Sequence, residues 1–131
     1  MPAVGNHILD KGYDASAAIT KFRAVKLHAS LPETVSPISN VTDVVFGVAQ
    51  NEVTTTELAK KKGVDVRSRG RTEMEAGAAI ANIGTPLGVD NVGRCIPLVA
   101  GSYQVGVAEQ AASGAGVRIT VDLDAVKSIK A

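Results

Sequence analysis

Side-chain chemistry needs a nucleophile, a base or a set of metal ligands within reach of one another, and few residues of this chain offer that. Cys95 is the only cysteine. Arg94 beside it would favour a thiolate, whereas burial among apolar neighbours would leave the sulfur an inert small hydrophobe. His7 lies near the start of the chain and His28 at the end of an apolar segment, and neither stands in a zinc or protease spacing. Glu73 and Glu75 form a carboxylate pair with no evident catalytic partner nearby. The glycines are scattered at turns, so no loop cradles a phosphate. Arg67, Arg69 and Arg71 are spaced by two. An extended backbone would project all three to one side, as a solvated strand face or as a positive stripe for an acidic surface. These patterns predict no enzyme, no cofactor and no metal. A thiol-dependent site around Cys95 is the catalytic alternative.

The elements that would hold such residues are short strands. The clearest runs from Gln104 to Leu123. Val117, Ile119, Val121 and Leu123 share one face, and Arg118, Thr120 and Asp122 share the other, the period of a half-buried strand. Tyr103, Val105 and Val107 alternate in the same way before it. Ser113, Gly114 and Gly116 supply the reversal. An echo lies earlier: Gly47-Val48-Ala49-Gln50 matches Gly106-Val107-Ala108-Glu109, and Gly63-Val64-Asp65-Val66 matches Gly116-Val117-Arg118-Ile119. Two related hairpins are expected, the first with a longer link.

Taken in order, residues 1–18 have little periodicity and read as an irregular N-terminal arm, with residues 19–131 as one β-rich domain. Lys21–His28 is a strand. Leu31–Asn40, with Pro32 and Pro37, is extended or looped. Asp43–Ala49 is a strand-length apolar run. Thr54 and Glu57 have capping-box spacing, Lys60–Lys62 suit the negative end of a helix, and Gly63 stands at a stop position, so one short helix is expected at about 55–62. Gly63–Arg69 is a strand with Val64 and Val66 inward. Glu73–Asn82 is ambiguous between helix and strand. Pro86–Val89 and Arg94–Leu98 flank a turn at 90–93 and form a hairpin. The sum is an all-β domain, a small barrel or sandwich.

Composition narrows the function. At 131 residues the chain can bury one core, and with 3% aromatic residues that core must be Val, Ile, Leu and Ala. A net charge of +1 gives no global attraction to nucleic acid or membrane, and the four aromatic rings leave little for base or sugar stacking. No apolar run is long enough to span a bilayer. The first residues lack a signal-peptide pattern, so synthesis in the cytosol is expected. A β-domain that binds glycan or nucleic acid remains the alternative among binding modules.

Several segments in order carry a resemblance: Phe22–Leu27, Phe46–Gln50, Ala76–Ile80, Gly84-Thr-Pro-Leu-Gly-Val-Asp90, Gly93-Arg-Cys-Ile-Pro97, Val105–Ala108 and Ala111–Val121. Together they resemble the capsid decoration, or cement, proteins of tailed bacteriophages, over roughly residues 20–123. The resemblance implies a β-tulip-like small barrel and a structural role on the virion exterior, after synthesis in the host cytoplasm. It implies binding to the outer capsid surface, stabilised contacts between copies of the major capsid protein, and a homotrimer, with no membrane or nucleic-acid partner. On that footing the arm is a candidate shell contact through Val4, Ile8, Leu9 and Tyr13. Arg67, Arg69 and Arg71 are candidates for an acidic surface of the capsid or of a neighbouring copy.

Overall fold

A computed structural model describes residues 8–123. The ten strands are β1 (Leu9–Ala15), β2 (Ala24–Leu27), β3 (Thr34–Pro37), β4 (Gly47–Ala49), β5 (Val64–Arg69), β6 (Arg71–Glu75), β7 (Pro86–Val89), β8 (Cys95–Pro97), β9 (Gly106–Ala108) and β10 (Arg118–Asp122). One helix, α1 (Thr55–Ala59), interrupts them. The first five strands close a barrel in the order β1-β3-β2-β4-β5. The last five form a sheet in the order β6-β10-β9-β7-β8, and a parallel bridge from Ala76 to Cys95 joins its two ends.

The two halves are copies of one another. In the first, Val25 pairs with Pro37 and Gly47; in the second, Leu87 pairs with Pro97 and Gly106. The parallel pair Ala15–Val35 has its counterpart in Ala76–Cys95. The bridge Ile19–Val53 corresponds to Ile80–Ala112. Phe22 donates its amide to the Ala49 carbonyl, and Gly84 donates to that of Ala108; both have positive φ, 64° and 89°. His28 and Asp90 match as well. His28 Nδ1 accepts from the Ser30 and Leu31 amides, and Asp90 Oδ1 accepts from those of Val92 and Arg94.

The glycines that began the sequence echo have a shared physical reason. A Cβ on Gly47 would run into the Arg67 carbonyl oxygen and the Val66 side chain. A Cβ on Gly106 would run into the Asp122 carbonyl oxygen and the Val121 side chain. Each strand crosses its neighbour so closely that only hydrogen fits. The same contacts set the register: Ala49 faces Val66 and Ala108 faces Val121. Val66 therefore corresponds to Val121, not to Ile119, and the second limb of the echo is two residues out of step. The longer link of the first hairpin holds α1.

The apolar periodicity of β10 is obeyed. Ile119, Val121 and Leu123 are buried, and Arg118 is exposed. They pack with Met74, Ile80, Leu87 and Val89 in the second half, and Ala24, Ile38, Val45 and Val48 of the first half join that cluster. A smaller cluster of Val25, Val35, Ala49, Val53, Val64 and Val66 fills the first barrel. The halves are also tied by polar contacts: the Glu75 amide donates to the Phe22 carbonyl, and Arg23 Nε donates to Glu75 Oε1 at 3.0 Å.

Helix α1 carries the expected capping box, with Thr54 Oγ1 and the Glu57 carboxylate each accepting from the other's amide. It is shorter than the expected 55–62. Lys61, at φ 59°, takes the left-handed stop position, and the Lys61 and Lys62 amides donate to the Leu58 and Glu57 carbonyls. The ambiguous Glu73–Asn82 stretch starts in β6, and its alanines make no helix.

The largest departure concerns the arm. Leu9–Ala15, expected to be irregular, is β1, antiparallel to β5 from Leu9 to Tyr13 and parallel to β3 at Asp14 and Ala15. It closes the first barrel. An arm over the whole of 1–18 is thereby excluded, and Val4 lies outside the described residues.

Candidate functional site

Cys95 is fully buried on β8, within the larger core cluster. Burial pushes its thiol up to about 12, with Asp90 and Glu75 adding to the rise. A sulfur held protonated and away from solvent is no nucleophile. His28 is spent on the turn described above, and His7 lies outside the described residues. Glu75 is bound by Arg23, while Glu73 pairs across the strand with Thr120 on the exposed face. Among the described residues no group of His, Cys, Asp and Glu could hold a metal ion, and no helix is long and apolar enough to cross a membrane. Of the four aromatic rings, Phe22 is buried and Tyr13, Phe46 and Tyr103 are half-buried.

The predicted stripe of arginines is broken up. Arg67 on β5 grips Asp10 on β1 through Nε and Nη2, at 2.8 and 3.0 Å, and its Nη1 donates to the Arg71 carbonyl at 2.8 Å. Hydrogen bonding to Asp10 raises the Arg67 pKa further. Arg71 leads into β6 and holds Glu109 at 2.8 Å. Gly70, at φ 92°, turns the chain between the two halves, so Arg67 and Arg69 lie on β5 and Arg71 on β6. Arg67 and Arg71 serve the fold as ion pairs.

The four apolar anchors also separate. Tyr13 is half-buried, and its ring packs edge-on against Phe46 at 5.3 Å between centroids, plugging the first barrel. Ile8 and Leu9 are exposed. Leu9 is paired directly with Arg69.

That pair marks the one place where the two predicted sets meet. Leu9 and Arg69 stand on the wall of an open cleft of about 530 Å³ at the mouth of the first barrel, with Leu27, Val44 and Phe46 supplying apolar surface and Lys26 a second cation. Leu27 and Val44 are 51% and 60% exposed. Sequence reasoning missed both, because each looks like an ordinary strand residue until the barrel end is seen to be open.

One wall of the cleft is the loop from Ile38 to Phe46, and Asp43 ties it down. Its Oδ2 accepts from the Ser39 and Asn40 amides and from Lys26 Nζ, each at 3.0 Å. Burial pushes the Asp43 pKa up, but the two amides and Lys26 outweigh it and set it below its ordinary value of 3.8. A carboxylate with a depressed folded pKa stabilises fully above its unfolded pKa, and that stability is lost as pH falls through the folded pKa. Acidification from pH 5 to below 3 should therefore loosen this loop. Asp43→Asn should lower stability at neutral pH by about 1–2 kcal/mol and flatten the acid limb of a melting-temperature-against-pH curve. Parallel curves for the two proteins would contradict the assignment.

No curated protein matches this sequence. The crystal structure of the head fiber gp8.5 N base of bacteriophage phi29 is similar in fold, with a TM-score of 0.69 at 18% identity, over 92% of this chain and 98% of that one. A family model described as phage cement protein matches residues 4–123, which includes both halves and the cleft between Leu9 and Arg69. The chain therefore belongs to the phage cement protein family.

Proposed function

We propose that this protein binds the outer surface of a phage capsid and stabilises contacts between neighbouring copies of the major capsid protein. The observation that carries the reading is the family match across residues 4–123, which makes the chain a structural virion protein. Several features support it. The described residues contain no catalytic constellation, and the most reactive side chain of the sequence, Cys95, is sealed in the core. A closed barrel and a five-stranded sheet, joined by an apolar cluster to which both halves contribute, form a stiff body that changes shape little when held between larger subunits. Many copies on one shell act together, so modest individual contacts add up to resistance against expansion. A homotrimer is the assembly in keeping with the family resemblance, and the virion exterior is the location.

The shell contact is built from exposed groups: Ile8, Leu9 and Arg69, with Val4 ahead of them. Tyr13, Arg67 and Arg71 act from behind by holding the barrel. In this reading the protein has no catalytic activity, cofactor, membrane partner or nucleic-acid partner.

Purified protein mixed with heads that lack it should co-sediment with them at a fixed stoichiometry and raise the temperature at which they release DNA. Absence of co-sedimentation at low and physiological salt would overturn the proposal.

A further inference from the structure

The two halves are copies, yet they close differently. Along the seam between β1 and β3, the Ser16 amide donates to the Val35 carbonyl at 3.0 Å and the Asp14 amide to that of Glu33 at 2.9 Å. Along the seam between β6 and β8, the first of these bonds has its counterpart from Gly77 to Cys95 at 2.8 Å. Glu75 and Gly93, the counterparts of Asp14 and Glu33, bond instead to the segment Phe22–Ala24 of the first half. Glu75 donates to the Phe22 carbonyl at 3.0 Å, and Ala24 donates to the Gly93 carbonyl at 2.8 Å. Glu33 and Gly93 both have positive φ, 48° and 89°. The first seam accommodates a side chain there, whereas a Cβ on Gly93 would run into the Ala24 carbonyl oxygen. Glycine stands where the segment from the other half passes.

The cores differ in the same sense. The cluster that fills the first barrel is made of first-half residues throughout, with Tyr13 and Phe46 packed against it. The cluster of the second half takes in Ala24, Ile38, Val45 and Val48 from the first. Their counterparts Pro86, Leu98, Gln104 and Val107 are exposed or half-buried, and none of them belongs to the first-half core. The contact therefore runs one way: the first half supplies an outer face to the interior of the second. Arg23 reinforces it through Glu75 at 3.0 Å, and the Arg118 guanidinium lies over the Phe22 ring at 4.9 Å. Pro86, in the place of Ala24, has no amide to donate, so the second half cannot make the same bond to another copy.

We propose that Phe22–Ala24 is a fixed wedge that holds the second half in shape, and that the protein opens in one order, the second half leaving the wedge while the first barrel stays closed. Without the second half, the first barrel keeps the pairing of β1 with β3 and β5 and keeps its own core. Without the first half, the second loses the wedge, four core side chains and the grip of Arg23 on Glu75. This one-sided dependence makes the second half an opening unit of its own, below global unfolding in free energy. Burial alone points the other way, since Val105 is buried and its counterpart Phe46 is half-buried. The device is a property of the fold and does not depend on capsid binding.

Amide hydrogen exchange of the full chain, resolved by NMR, tests the order. Two pairs of counterparts report it: Phe46 and Ala49, which donate to Val25 and Arg23, and Val105 and Ala108, which donate to Leu87 and Thr85. With intrinsic rates divided out, Val105 and Ala108 should exchange roughly tenfold faster than Phe46 and Ala49, or more. A variant that weakens only the closed state speeds every amide. One that weakens the half-open state equally speeds only the amides that need global unfolding. Ile119→Val, in the second-half core, should therefore speed all four amides by the same factor, about fivefold. Val64→Ala, at the counterpart position in the first barrel, should speed Phe46 and Ala49 about tenfold and leave Val105 and Ala108 unchanged. Arg23→Ala lies in the first half by sequence, yet it should act as Ile119→Val does, because its partner Glu75 is in the second. Equal rates, with every variant moving all four amides together, would make the halves one cooperative unit and overturn the proposal. So would the mirrored pattern, in which Val64→Ala speeds all four amides and Ile119→Val only those of Val105 and Ala108.

Discussion

A chain truncated to begin at residue 19 should not fold. Strand β1 contributes Tyr13 and Ala15 to the first barrel, pairs with β5 from Leu9 to Tyr13, and meets β3 at Asp14 and Ala15. Its removal exposes the edges of β5 and β3 and strips the partner from Arg67, whose guanidinium would lose Asp10. It also uncovers Val64 and Val66, both essentially buried. Losing the burial of one large apolar side chain costs about 1.5–3 kcal/mol. Several such losses plus an opened barrel exceed the roughly 5–15 kcal/mol that holds an ordinary domain together. The expected result is an aggregation-prone product without a cooperative thermal transition. A truncation to residue 8, which keeps β1, should retain the transition and so isolates any binding contribution of residues 1–7. A folded, cooperative product beginning at residue 19 would contradict the closure of the barrel by β1.

The second large effect belongs to Gly47 and Gly106. Each accepts no Cβ, and in each case the obstruction is partly a backbone carbonyl on the adjacent strand, which cannot swing aside as a side-chain tip can. Overpacking of this kind costs about 1–3 kcal/mol, and a valine should exceed that. Gly47→Ala and Gly106→Ala should each destabilise the protein by about 3 kcal/mol, with similar midpoint shifts in denaturant, because the two sites are counterparts. Gly114→Ala has open space around its Cβ and should fall within about 0.5 kcal/mol of the parent. A benign Gly106→Ala would contradict the close crossing of β9 and β10.

What the sequence revealed follows from where each signal lives. The alternation of Ile119, Val121 and Leu123 is local, and β10 is where it predicts a strand. The Thr54–Glu57 capping box is local too, and α1 begins after it. The echo around Gly47 and Gly106 was visible because close strand crossing demands glycine at both places. Most of the remaining repeat was hidden, because the counterparts differ in residue type. Phe22 stands against Gly84, Ala24 against Pro86, and His28 against Asp90. Each pair keeps a backbone role or a turn cap while sharing no chemistry that a sequence comparison would score.

Strand β1 was hidden for a different reason. Most of Leu9–Ala15 is exposed, and only Tyr13 and Ala15 turn inward, so no apolar face announces it. The spacing of Arg67, Arg69 and Arg71 was legible, but their use was not. Asp10 is far from Arg67 in the chain, and only the closed barrel brings them together. The cleft combines both difficulties, since it joins the start of β1, the end of β2 and the end of β5 at one barrel mouth.

The most direct measurement is a cryo-EM reconstruction of phage heads lacking this protein after incubation with it. The account predicts density for the protein on the outer surface only, seated across capsid-protein boundaries, with the face carrying Ile8 and Leu9 turned toward the shell. Heads that remain bare, or density that turns this face to solvent with the second half against the shell, would contradict it.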